Sequence, residues 1–149
     1  MNIRCVTYKD QFSAGQNAYN DLMIGYEKRV VGCGSKVFGS SRKDDIVIIN
    51  AKKDGIIHAL IVRLDQPLES CDAWSAEGGL DWTYNWTYEP ITTIFQYDET
   101  FKREMIDFCA LHSLTHTNLF HSRFCSNKLK KAVDHMIERF SISSQNIQM

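Results

Sequence analysis

Aromatic side chains crowd one stretch of the chain. All three tryptophans, Trp74, Trp82 and Trp86, lie there together with Tyr84 and Tyr88. From Trp82 to Tyr88 an aromatic residue stands at every second position, so on a strand the four share one face. A flat indole or phenol face stacks on a heterocyclic base, and a few polar groups then read the base's edge. Trp74, Trp82, Trp86 and Tyr84 are therefore candidates for base contact. Asp72, Asp81 and Asn85 are close enough in sequence to offer edge partners. The same row serves as a wall of the core, because aromatic rings are good core material. Both readings stand on the residues.

Basic groups are the second constellation. Lys36, Arg42 and Lys43 in the first third and Arg123 ahead of the last helix are candidates to meet phosphates, if a nucleic acid binds. An ordinary solvated face is the competing reading. Ser35, Lys36 and Ser40 stand among glycines, where backbone N–H groups suit an anion. Gly32-Cys33-Gly34-Ser35-Lys36 nevertheless lacks the Gly-x4-Gly-Lys-Ser/Thr spacing of a P-loop.

Cys33 in this turn and His58 in a strand-like run form a thiol–imidazole pair if the fold joins them, since a thiol needs only a nearby base to be activated. Cys109-x2-His112 and His121-x3-Cys125 have the local spacing of zinc ligands. Cys109 and His112 also fall on the apolar stripe of a predicted helix. The expectation is packed thiols and hydrogen-bonded imidazoles, with no metal and no cofactor.

These residues need elements to position them. Ile3 to Tyr8 reads as an opening strand, and Tyr19, Leu22, Met23 and Tyr26 recur at helical spacing within Phe12 to Tyr26. Gly25 weakens or ends that helix. Arg29 to Cys33 is a brief extended piece, and Gly32 to Asp45 is a loop by composition. Ile46 to Ile49 and Ile56 to Leu64 are dense in branched residues and flank Asp54-Gly55, a strong hairpin signal. Asp65 to Gly79 reads as a long loop and Leu80 to Glu89 as partly strand. Ile91 to Tyr97 is a strand, with Glu89 held extended by Pro90. Helices are predicted over Thr100 to Ser113, capped by Thr100 or Asp98, and over Phe124 to Phe140, capped by Ser126 or Asn127.

The order predicts an α+β fold: a small, curled, mainly antiparallel sheet or barrel with flanking helices. An open sheet with helices on one side is the alternative. Residues 1–140 form one domain, and 141–149 a polar tail that frays. A hydrophobic share of 44% and a charged share of 23% exclude wholesale disorder. The formal net charge of -1 excludes an indiscriminate polyanion binder, but not recognition of one nucleotide by a local patch. Five widely spaced cysteines make a poor disulfide framework and read as reduced thiols. The opening residues have no apolar leader, and no run of about 18 apolar residues exists. The expected protein is cytoplasmic, with no membrane contact.

With the elements in place, the chain resembles the PUA-like superfamily, in particular its EVE and ASCH-related branches. Three segments carry the resemblance: Arg42-Lys43-Asp44-Asp45-Ile46-Val47-Ile48-Ile49-Asn50, the return strand Gly55-Ile56-Ile57-His58-Ala59-Leu60-Ile61-Val62-Arg63, and Trp86-Thr87-Tyr88-Glu89-Pro90-Ile91-Thr92-Thr93-Ile94-Phe95. Asp65 to Leu80 is longer and more acidic than a minimal member needs. The resemblance implies a barrel-like sheet with a cleft that recognises a base, modified or not, in nucleic acid or as a nucleotide. Some ASCH-related members hydrolyse nucleoside derivatives, for which Lys36, Ser40 and Glu89 are the nominees here. A third expectation is a protein-binding adaptor or inhibitor using Asp65 to Glu99, which holds acidic residues and no Lys or Arg.

Overall fold

The computed structural model describes residues 1–10, 17–75 and 82–142. Of the tail expected to fray, 141–149, Ser141 bridges to Thr92 and Ile142 N donates to Ile91 O at 3.1 Å. Residues 143–149 and the part of the aromatic loop at 76–81, Asp81 included, lie outside the described residues. Six strands form one sheet: β1 (Ile3–Tyr8), β2 (Val30–Cys33), β3 (Ile46–Lys53), β4 (Ile56–Leu68), β5 (Tyr84–Pro90) and β6 (Phe95–Tyr97). The helices are α1 (Ala18–Lys28), α2 (Lys36–Gly39), α3 (Glu99–Leu111) and α4 (Lys130–Phe140). Among the described residues no helix is long and apolar enough to cross a membrane.

The strand order is β1-β3-β4-β5-β2, with β6 also pairing β4. All pairs are antiparallel except β1 with β3. The chain passes through α1, β2 and α2 between those two, the kind of crossover a parallel pair requires. The β3–β4 hairpin turns at Asp54 and Gly55, whose φ angles of 54° and 80° both fall in the left-handed region that favours this pair.

Curvature comes from β4. Its ladder with β5 shifts register between Leu64 and Pro67, a bulge that increases local twist. The sheet curls until its two end strands face each other. Tyr8 of β1 donates its hydroxyl to Gly32 O of β2 at 3.1 Å and accepts from Gly32 N at 3.2 Å. The product is a curled half-barrel, mainly antiparallel, flanked by helices.

β1, β3 and β4 split their side chains between two cores. Val47, Ile49, Leu60, Val62 and Leu64 line the concave side with α1, while Ile46, Ile48, Ala59 and Ile61 meet α3 and α4 on the other. Helices thus cover both faces, which corrects the one-sided alternative. Asp98 caps α3 by accepting from Phe101 N at 2.9 Å, and Asn17 caps α1 by accepting from Asn20 N at 3.1 Å.

Several boundaries differ from the sequence expectation: β3 runs on to Lys53 and α1 continues past Gly25 to Lys28. β4 runs on to Leu68, so the loop after it is shorter. The loop before β3 contains α2. The last helix begins at Lys130 after a 3-10 turn over Asn127–Leu129. Ile91 to Tyr97 is not one strand. Ile91 N and Thr92 N both donate to Ile61 O, at 2.8 and 3.2 Å, and Thr92 Oγ1 accepts from Ile61 N at 3.0 Å. The side chain of Thr92 takes the place of a ladder partner, and pairing resumes only at Phe95.

Candidate functional site

β1 is an end strand, so one of its edges is free of a ladder partner. Its inner edge bonds to β3, as in Ile46 N to Asn2 O at 2.9 Å. Its outer edge is flanked by the segment Phe120 to Asn127, which is held off by side chains. Ile3 N donates to Asn127 Oδ1 at 2.7 Å, and Thr7 Oγ1 donates to Phe120 O at 3.4 Å. Between those two contacts a groove remains open, in two lobes that share Thr7 and Ser122.

The first lobe encloses about 590 Å³, within the ordinary range for small-ligand pockets. Arg4 and Arg123 line it, with Ser35, Ser122 and Ser126, and no described lining residue is a carboxylate. Arg4 Nε is anchored 3.4 Å from Asp45 Oδ2. Asp45 is itself buried and accepts from Asn2 N at 2.8 Å and Arg42 N at 2.9 Å, which locks the approach to β3. The Arg123 guanidinium is exposed and has no partner among the described residues. A guanidinium left without a carboxylate is suited to bidentate binding of a phosphate.

Cys5, Cys33 and Cys125 also line this lobe. Burial pushes Cys5 up to about 12, with the neighbouring Cys125 and Cys33 adding to the shift, and pushes Cys125 up to about 11. Burial raises Cys33 as well. All three are neutral thiols near neutral pH and poor nucleophiles.

The second lobe encloses about 860 Å³. Asn50 and Tyr97 line it from the sheet, Phe120, His116 and His121 from the segment after α3, and Lys52 and Lys102 near its mouth. Asp98, which also lines it, is engaged as the cap of α3.

The residues singled out from the sequence are spread over three places. Trp74 is 0% exposed, packs in the concave core with its ring 6.3 Å from Tyr8, and donates Nε1 to Asp21 O at 3.2 Å. Trp86 is buried in the same core. Trp82 and Tyr84 are half-buried: Trp82 lies 5.6 Å from Tyr8, and Tyr84 packs over Gly39. Trp82 and Asn85 press on Gly32 so closely that an added Cβ there would meet them at 2.7 and 2.6 Å. Trp82 Nε1 and Asn85 Oδ1 have no hydrogen-bond partner among the described residues. No tryptophan lines either lobe.

Of the basic candidates, only Arg123 reaches the groove. Lys36 opens α2 and Ser40 follows it, both on the surface, and Arg42 and Lys43 are exposed ahead of β3, with Lys43 Nζ 3.7 Å from Asp65. Glu89 is exposed on β5 opposite Arg63. Cys33 and His58 are not joined by a hydrogen bond. Cys33 Sγ accepts from Ser35 N at 3.4 Å, and the His58 ring packs edge-on to Tyr19 at 4.7 Å. Burial, with Lys53 nearby, lowers the pKa of His58. Cys109 is buried in α3 and His112 sits against Phe108, while His121 Nδ1 accepts from Arg123 N at 3.2 Å. Among the described residues no group of three or more His, Cys, Asp or Glu is placed to hold a metal ion.

No family model matches this chain, and neither a curated protein nor a solved structure matches it.

Sequence reasoning missed Arg4, Cys5, Ser122, Ser126, Asn50 and Tyr97. The walls of the groove are about as far apart in sequence as the chain allows, with Ile3 bonded to Asn127, and no local spacing signals such a juxtaposition. The one usable hint was that a first strand is a natural edge strand, and edges are where a groove can form.

Proposed function

We propose that this protein binds a nucleotide, with a phosphate held between Arg4 and Arg123 in the groove beside β1. The observation that carries the reading is a concave lobe with two guanidinium groups, three serine hydroxyls and no described carboxylate. Phosphate oxygens accept from both donor types, and a bond from a charged guanidinium is the stronger of the two. The adjoining lobe offers room and aromatic edges beyond what a bare phosphate needs. This reading keeps the nucleotide suggested by the PUA-like resemblance and moves its site from the indole row to the β1 edge. The buried Trp74 and Trp86 serve the core, so base contact through them is not part of the proposal.

Titration calorimetry with nucleosides, nucleoside monophosphates and inorganic phosphate tests it. The expected outcome is saturable binding of at least one monophosphate, weakened by added salt and reduced about 10- to 100-fold in Arg123→Ala. Equal binding by wild type and Arg123→Ala, or no binding by any monophosphate, overturns the assignment.

A further inference from the structure

Asn50 lines the second lobe with 2% of its surface exposed. Its amide nitrogen donates to Val6 O at 3.3 Å, to Thr7 Oγ1 at 3.2 Å and to Cys5 Sγ at 3.2 Å. A peptide carbonyl only accepts, so the contact with Val6 decides which end of the amide is nitrogen. Oδ1 is thereby turned the other way, and it has no partner among the described residues. Tyr97 lines the same lobe at 8% exposure, and its hydroxyl also has no partner among the described residues. An unanswered acceptor and an unanswered donor thus belong to residues that line one lobe, beside the ring of Phe120, which lies edge-on to Tyr97 at 4.7 Å.

We propose that the second lobe takes the ring of the bound nucleotide and that Asn50 Oδ1 accepts a hydrogen bond from an N–H on that ring's edge. This rests on the nucleotide reading above. The complement of a fixed acceptor and an unmatched hydroxyl donor is an edge carrying an N–H next to an acceptor atom. Every common base presents such a pair on its Watson–Crick edge. Full methylation of that nitrogen removes the donor and sets a carbon group against the amide oxygen, which leaves the acceptor unanswered. The lobe therefore admits bases with a free Watson–Crick N–H and rejects forms whose donating nitrogen is fully methylated. Ribose phosphate, which has no ring edge, engages the arginine lobe alone.

The test is a set of calorimetric titrations of the full chain with ribose phosphate, the common nucleoside monophosphates, and the same nucleotides fully methylated on the Watson–Crick nitrogen that donates. The best nucleotide is expected to bind about tenfold or more tighter than ribose phosphate, and its methylated form to lose about tenfold or more. Tyr97→Phe, which keeps the ring and removes only the hydroxyl, should weaken the nucleotide and leave ribose phosphate unchanged, with circular dichroism confirming the fold. Ribose phosphate binding as tightly as every nucleotide, or methylated and free bases binding equally, overturns the role of Asn50 while the arginine lobe stands. Failure of every phosphate ligand to bind overturns the nucleotide reading and this inference with it.

Discussion

Trp74 and Trp86 lie in the concave core, closed to solvent, whereas Arg123 stands in the groove beside β1 with its guanidinium unpaired among the described residues. The two regions meet at Tyr8, whose ring touches Trp74 and Trp82 and whose backbone belongs to the strand that borders the groove. The aromatic cluster closes the curl of the sheet from inside. The groove is what remains outside, where the end strand β1 has no ladder partner on its outer edge. The chemistry that looks most distinctive in composition has gone into packing. The residues that line the groove are ordinary ones: a serine-rich turn, two arginines and the edge of a short strand.

The sharpest way to break this division is to empty the core. Trp74→Ala removes the largest fully buried side chain and the bond to Asp21 O, and should cost about 3–5 kcal/mol in chemical denaturation. At temperatures where the variant stays folded, its affinity for a phosphate ligand should match wild type within about twofold, since Trp74 lines neither lobe. A large loss of affinity in folded Trp74→Ala would return the site to the indoles. Arg123→Ala is the opposite case. It should lose about 1.4–2.8 kcal/mol of ligand binding and change unfolding free energy by no more than about 0.5 kcal/mol.

Tyr8→Phe probes the seam between the regions. It removes the hydroxyl that bridges Gly32 N and Gly32 O and leaves both backbone groups buried without that partner. The expected loss is about 1–3 kcal/mol, with the ring packing retained. Unchanged stability in urea would mean that the end strands are held together by side-chain packing alone.

The same division explains what could be read from the sequence. The β3–β4 hairpin was legible because its signals are local: branched residues on both arms and an Asp54-Gly55 pair suited to left-handed backbone. The cap at Asp98 and the α3 stripe of Phe101, Met105 and Cys109 were legible for the same reason. The β1–β3 pairing, the two-sided core and the switch at Thr92 depend on partners distant in sequence, and no local pattern encodes them. Trp74 stands in polar sequence and therefore looked free, yet the segment folds back and sets the indole against α1. The groove was the least legible part, because its walls come from opposite ends of the chain.

Titration separates the regions further, since indoles carry no titratable proton while the groove is lined by thiols. The Cys5 and Cys125 thiols sit near 9.0 in an unfolded chain and are held at about 12 and about 11 in the fold by burial. Their folded values are raised, so the unfolded chain releases protons first as pH increases. Stability is then full below about pH 9 and declines from there through the folded values. His58 acts at the other end. Burial and Lys53 lower it from 6.5, with Asp54 opposing, so the unfolded chain takes up a proton first as pH falls. Its contribution is present above about pH 6.5 and is lost below it. Urea midpoints measured across pH should form a plateau between these limits. Cys125→Ala should flatten part of the alkaline decline and leave the acid side untouched, while His58→Gln should do the reverse. An alkaline decline that is identical in Cys125→Ala would show that this thiol is as free to ionise in the fold as in the unfolded chain, and that the groove at this point is open to water.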